Sequence, residues 1–208
     1  METKSWSNPS PAGLVALAVA CYCFFAILGG FVGKEAMPLI GCWLLGGFVV
    51  QIIVAIIDLR MKNTTGGNTF LFFSAFFMLV GGLEMLLKYH FMQVGIPFDG
   101  HVDGFAWIVL TASLILWTPA FFRTTLLPIV LLLDFSLPFI TLIDLGLLSK
   151  TFSVIPAYGL LLAGTYAIYI AASIIVNEAC GKIVYPTFQV KAKQNSPIQK
   201  SHKIDRIS

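Results

Sequence analysis

The stretch LLLDFSLPF, residues 131–139, sets a single carboxylate among leucines and phenylalanines. In a soluble helix, Asp134 requires a salt-bridge partner. Across a membrane, an ionisable residue at mid-depth is costly and points to a pathway. Composition decides between the two. Of 208 residues, 58% are hydrophobic and 11% charged, where a soluble domain carries about 25% charged residues. So few charges cannot cover a water-facing surface, and the surface must face lipid.

Apolar runs of spanning length recur six times, over residues 13–31, 39–57, 69–87, 104–122, 126–148 and 154–176. Each is close to the ~20 residues that a helix needs to cross ~30 Å of hydrocarbon. The ~10-residue polar alternation of membrane strands is missing. The expected architecture is therefore an all-α, polytopic membrane protein, a bundle of six transmembrane helices. A segment 1–12 leads in, the helical domain occupies 13–186, and a polar, basic tail runs over 187–208.

Basic residues set the orientation. The side holding both termini carries Lys4, Arg60, Lys62, Arg123, Lys182 and five cations of the tail, ten against Lys34, Lys88 and Lys150 on the other. That bias predicts cytoplasmic termini in a cell membrane. The first run, with LAVAC at 17–21, continues apolar beyond Cys21 and reads as an uncleaved span. Cys21, Cys23 and Cys42 fall in apolar runs without zinc spacing and are expected as small buried side chains. The tail is suited to anionic lipid, and nothing in the sequence points to nucleic acid.

Three polar signatures lie at helix ends. NPSPAGL, residues 8–14, offers Asn8 as a cap, prolines for a first turn and a glycine for close contact. QIIVAIIDLRMKNTTGGNTF, residues 51–70, places Gln51 two turns inside the second span and then turns the chain, with Asn68 or Thr69 as the expected cap. NEACGKIVYP, residues 177–186, closes the sixth span with a glycine stop and a later proline. Ala163, Ala167 and Ala171 recur every four residues, a spacing that lets helix backbones approach closely in lipid.

Together these signatures resemble the acetate uptake transporter family, which includes bacterial succinate–acetate permeases and yeast acetate and ammonia-export relatives. Its opening NPAPLGL is matched by Asn8, Pro9, Pro11, Gly13 and Leu14. Its glutamine, acid and GNTFG are matched by Gln51, Asp58, Gly67, Asn68, Thr69 and Phe70, with Leu71 replacing the last glycine. Its final helix is matched by Ala167, Ile168, Tyr169, Asn177, Glu178, Gly181 and Pro186. The resemblance implies a homo-oligomer, commonly a hexamer, with a narrow path through each protomer for acetate or a similar carboxylate, sometimes with proton coupling. It also implies a constriction from the first, third and fifth helices. Counted without gaps, this falls on Leu17, Met78 and Asp134, where family members carry an aromatic, a tyrosine and a leucine.

Asp134 then lies roughly 15 Å deep, where a lone carboxylate costs at least ~3 kcal/mol, so it should face protein or water. Pro138 cannot donate to its carbonyl, leaving an acceptor free beside the acid. A purely structural alternative has Asp134 bonded to Gln51, Tyr169 or Ser74, and the same three side chains are the candidate solute contacts. An ionised Asp134 at ~6 Å would repel a carboxylate by about 3 kcal/mol at an effective dielectric near 20. Its protonation therefore decides between proton-linked monocarboxylate passage and a path for ammonium or another small cation. A non-transporting scaffold is the third alternative. Glu84 and Lys88 are expected to pair at i, i+4, Asp144 to meet water near the outer surface, and DGHVD, residues 99–103, to be a solvated loop. No nucleophile set, metal-ligand spacing or cofactor motif points to an enzyme, a metal site or a bound cofactor.

Overall fold

A computed structural model of the chain describes residues 6–187. Lys4 and all but the first residue of the expected tail lie outside them. Among the described residues, six helices are long and apolar enough to cross a membrane: α1 (Ser10–Leu28), α2 (Lys34–Arg60), α3 (Thr64–Val94), α4 (His101–Phe121), α5 (Leu127–Asp144) and α6 (Lys150–Cys180). No strand occurs among the described residues. Helices this apolar on every side satisfy their backbone internally and expose hydrocarbon to lipid. Leu39, Trp43, Val102, Leu116 and Leu162 accordingly face outward. Cys42 also faces outward, contrary to the buried place expected of it, because it lies on the outer side of α2.

Helix ends follow local chemistry. Pro9 and Pro11 open α1, and the Asn8 Oδ1 accepts from the Ser10 amide at 3.0 Å. The cap of α3 is Asn63, whose Oδ1 accepts from the Gly66 amide at 3.0 Å. This corrects the expectation of Asn68 or Thr69. The glycine pair lies inside the first turns, where Gly67 lets α3 close on Leu59, and Asn68 donates to the Thr64 carbonyl at 2.8 Å. At the other end of the chain, α6 stops at Gly181 in a left-handed conformation, φ 62°, which glycine adopts without penalty. Pro138 sits inside α5 without ending it.

Neighbours in the bundle run α1–α2–α3 and α4–α5–α6, with α6 returning to α1. The α1–α6 contact is among the most extensive of these, and Ala163, Ala167 and Ala171 are all buried in the core. The ring closes between α3 and α4 through side chains: Phe77 meets Trp107 at 5.0 Å and Phe72 meets Trp117 at 5.2 Å, both edge-on. Polar bonds pin the seams. The Tyr22 and Thr165 hydroxyls meet at 2.9 Å between α1 and α6, and those of Thr111 and Thr141 at 2.9 Å between α4 and α5. Such bonds in membranes average about 0.6 kcal/mol, so packing of small residues carries most of the association.

Beyond α6 the chain folds back as a strap. Asn177 Oδ1 accepts from the amides of Val184 (2.7 Å) and Tyr185 (2.9 Å), its Nδ2 donates to the Tyr185 carbonyl (2.8 Å), and the Tyr169 hydroxyl donates to the Pro186 carbonyl (2.5 Å). Replacing Asn177 with alanine is expected to speed amide hydrogen exchange at 184 and 185 by about tenfold, the size of a ~1.5 kcal/mol bond. Unchanged exchange would mean the strap is held by other contacts.

Candidate functional site

Within α3, residues Phe73–Val80 form a π-helical stretch. Wider i→i+5 turns are uncommon and concentrate at functional sites. Here the stretch rotates a run of large side chains toward the bundle centre. Phe73, Phe77 and Met78 line a cavity of about 210 Å³, walled also by Leu17, Cys21 and Phe24 of α1, Trp107 and Leu110 of α4, and Leu133, Leu137 and Ile140 of α5. Only Leu160 comes from α6, and α2 contributes nothing.

A second, smaller cavity of about 40 Å³ lies toward the face where α1 begins and α6 ends. Leu14, Leu17, Gln51, Gly66, Thr69, Phe70, Phe73, Phe121, Leu126, Ile129, Val130 and Leu133 line it. Two of the sequence signatures thus converge on one wall. The Phe70 ring covers Gly13 so closely that a Cβ there would come within 2.5 Å of it. Gln51, fully buried on α2, donates from Nε2 to the Gly13 carbonyl at 3.1 Å, and its Oε1 has no partner.

Leu17, Phe73 and Leu133 belong to both cavities. One residue from each of α1, α3 and α5 therefore forms an apolar partition between the two spaces, and all three are buried. Of the three positions counted from the family pattern, Leu17 stands in this shared wall. Met78 lines the larger cavity only, with its sulfur against Gly47 and its side chain packed among Ala16, Ile40 and Leu44. Asp134 lines neither cavity. Leu133, one residue earlier, lines both cavities instead.

Asp134 turns toward α4, where its Oδ2 meets the Thr118 hydroxyl. Thr118 also reaches the Leu114 carbonyl at 3.1 Å. One hydroxyl proton cannot serve both acceptors. Both contacts can be hydrogen bonds when Asp134 carries a proton and donates it to Oγ1; its Oδ1 has no partner. None of the three partners considered for Asp134 touches it. Ser74 instead donates to the Phe48 carbonyl (3.4 Å), and Tyr169 holds the strap. Of the candidate solute contacts, only Gln51 lines a cavity.

Charge gathers at the opposite mouth, around the larger cavity. Lys88 donates to Glu84 at 3.0 Å and, across the α3–α4 seam, to Asp103 at 2.5 Å. The Glu84 pair was legible at i, i+4. Asp103 was read as loop but sits in the first turn of α4, which starts at His101. Asp144 lines the same mouth. In the connection outside the spans, Asp99 accepts from the His101 amide (3.0 Å) and its ring Nδ1 (2.6 Å), which holds the Asp99 carboxyl below its ordinary range.

Six membrane-length helices thus enclose two cavities, and three apolar side chains stand in the walls of both. Among solved structures the chain is similar to the bacterial acetate channel SatP, with a TM-score of 0.72 and 17% identity, over 88% of this chain and 99% of that chain. At that identity the likeness shows a shared fold. No family model and no curated protein matches the sequence.

Proposed function

We propose that the chain passes a small monocarboxylate, acetate above all, through its own helical ring. The observation carrying this reading is the shared partition, Leu17, Phe73 and Leu133, between two cavities of a fold also found in an acetate channel. In this reading the protein is a passage rather than an enzyme, with its strap and termini on the cytoplasmic side of a cell membrane. A solute moves from the acid-rich mouth into the larger cavity, displaces the partition side chains, and reaches Gln51 and Thr69. The oligomer expected from the resemblance leaves each path inside one protomer.

Asp134 is proposed as a positioning residue. By bonding Thr118 it fixes α5 against α4, and Leu133 beside it is held at the partition. Proton linkage through Asp134 would then reach the solute only indirectly. Asp134→Asn, which can donate to Thr118 as a neutral carboxyl does, is expected to leave radiolabelled acetate uptake within a few-fold of wild type, the scale of a ~0.6 kcal/mol interhelix bond. Its dependence on pH should also be retained. Loss of that dependence in Asp134→Asn would make the carboxyl itself the proton carrier.

One observation favours a second reading, a path for ammonium or another small cation. Glu84, Asp103 and Asp144 against Lys88 give the mouth a formal charge of −2 when all four are ionised. Ammonium uptake that acetate does not inhibit, and that falls in Asp144→Asn, would support it.

A further inference from the structure

The larger cavity is roomier than a two-carbon acid requires. An apolar cavity of about 150 Å³ takes up a benzene ring, and this one offers about 210 Å³. We propose that it binds an arylalkyl ammonium, a single aromatic ring carrying a protonated amine on a short chain, whichever solute crosses the bundle.

Two features of the wall select the two ends of such a ligand. The inner part is aromatic. Phe73, Phe77 and Trp107 line it, the Phe77 and Trp107 rings edge-on at 5.0 Å, and Leu137 and Ile140 close it from α5. Rings so placed offer faces and edges to a further ring, and an indole face also attracts a cation. The outer part is acidic. Glu84, Asp103 and Asp144 share the wall with one cation, Lys88, and three carboxylates against one ammonium leave a formal charge of −2. Lys88 is held between Glu84 at 3.0 Å and Asp103 at 2.5 Å. The Asp144 carboxyl has no hydrogen-bond or ion-pair partner among the described residues, and Lys88 and Lys150 act on it only through space. An ammonium brings the N–H donors that this carboxylate lacks.

Spacing sets the length of the chain between ring and amine. Trp107 follows Asp103 by four residues on α4, and Ile140 precedes Asp144 by four on α5. On both helices the acid therefore stands about one turn, roughly 6 Å, outward of the apolar side chain on the same face. A ring seated between Trp107 and Ile140 reaches Asp144 through two carbons. A carboxylate on the same skeleton meets repulsion there, and a bare ammonium leaves the aromatic wall uncovered.

Phenethylamine is the probe. Full-length protein in detergent micelles is titrated calorimetrically at neutral pH, with the heats of protein-free micelles subtracted. Saturable binding of one phenethylamine per chain is expected. Phenethyl alcohol, the same skeleton without the charge, should bind at least about tenfold more weakly, the scale of one hydrogen bond to a charged group. Ethylamine, the head without the ring, should also bind at least about tenfold more weakly, through lost apolar burial. Asp144→Asn should weaken phenethylamine by about tenfold and leave phenethyl alcohol unchanged. Ile140→Trp, which fills the cavity, should abolish binding in a protein that stays monodisperse. No saturable binding of phenethylamine, equal affinity for phenethyl alcohol, equal affinity for ethylamine, or unaltered binding in Ile140→Trp would each overturn the proposal. The comparison of the three ligands on the wild-type protein decides the matter without any variant. The readout is binding, so failure of acetate uptake leaves this proposal standing and its own failure leaves the monocarboxylate path untouched.

Discussion

Leu133→Trp is expected to bring acetate uptake down to the level of protein-free liposomes. Leu133 is 2% exposed and stands in the wall of both cavities. An indole there overfills the smaller space of about 40 Å³. The larger cavity, about 210 Å³, can take it up without displacing a helix. The variant should therefore fold and be plugged, where overpacking of a filled core costs about 1–3 kcal/mol. A monodisperse, thermally stable Leu133→Trp protein with no uptake is the expected pair of results. Full uptake through that variant would place the passage elsewhere.

Gly164→Leu is expected to have the largest effect on folding. Gly164 lies at the α1–α6 seam, where a Cβ alone would come within 2.9 Å of the Cys21 Cβ, 3.1 Å of the Tyr22 ring and 3.3 Å of the Ala18 carbonyl. The backbone atoms and the rigid ring cannot step aside, so a leucine must push α1 from α6. Because these two helices share one of the most extensive contacts of the bundle, the cost should reach or pass the ~3 kcal/mol upper range of ordinary overpacking. A large fall in melting temperature in detergent, or loss of the monodisperse species, is the expected readout. Gly46→Leu is the control. A Cβ at Gly46 meets nothing within 4 Å, and that variant should melt as wild type does. Equal behaviour of the two would mean that the small-residue seam does not hold the bundle.

Much of the architecture was legible because a bilayer imposes it. Six runs of the right length give six helices, and the stop at Gly181 and the Glu84–Lys88 pair are local chemistry, whereas α1 starts at Ser10 behind Pro9 and not with Asn8 as its cap. The inward faces were not legible, for a physical reason. In lipid, both sides of a span are apolar, so hydrophobic periodicity does not mark which side faces the centre. Counting residues through α3 also assumes regular α-helical turns, and the π stretch Phe73–Val80 breaks that assumption, bringing Phe73 into both cavities and leaving Met78 against α2. On α5 a single residue separates the wall shared by the two cavities, at Leu133, from the α4 seam, at Asp134. Polarity alone does not tell structural from cavity-lining side chains. Ser74, Tyr169 and Asp134 are all engaged in holding elements together, whereas Gln51 both holds Gly13 and keeps an oxygen in reserve. The mouth was half legible, since Asp103 joins Lys88 only once α4 is known to begin at His101.

The central claim is that a small carboxylate passes between the two cavities across Leu17, Phe73 and Leu133. Radiolabelled acetate uptake into proteoliposomes, run side by side for wild type, Leu133→Trp and Asp134→Leu, tests it most directly. The account predicts uptake above protein-free liposomes for wild type, background for Leu133→Trp, and retained though reduced uptake for Asp134→Leu. Uptake abolished by Asp134→Leu but untouched by Leu133→Trp would contradict it, moving the path from the partition to the α4–α5 seam.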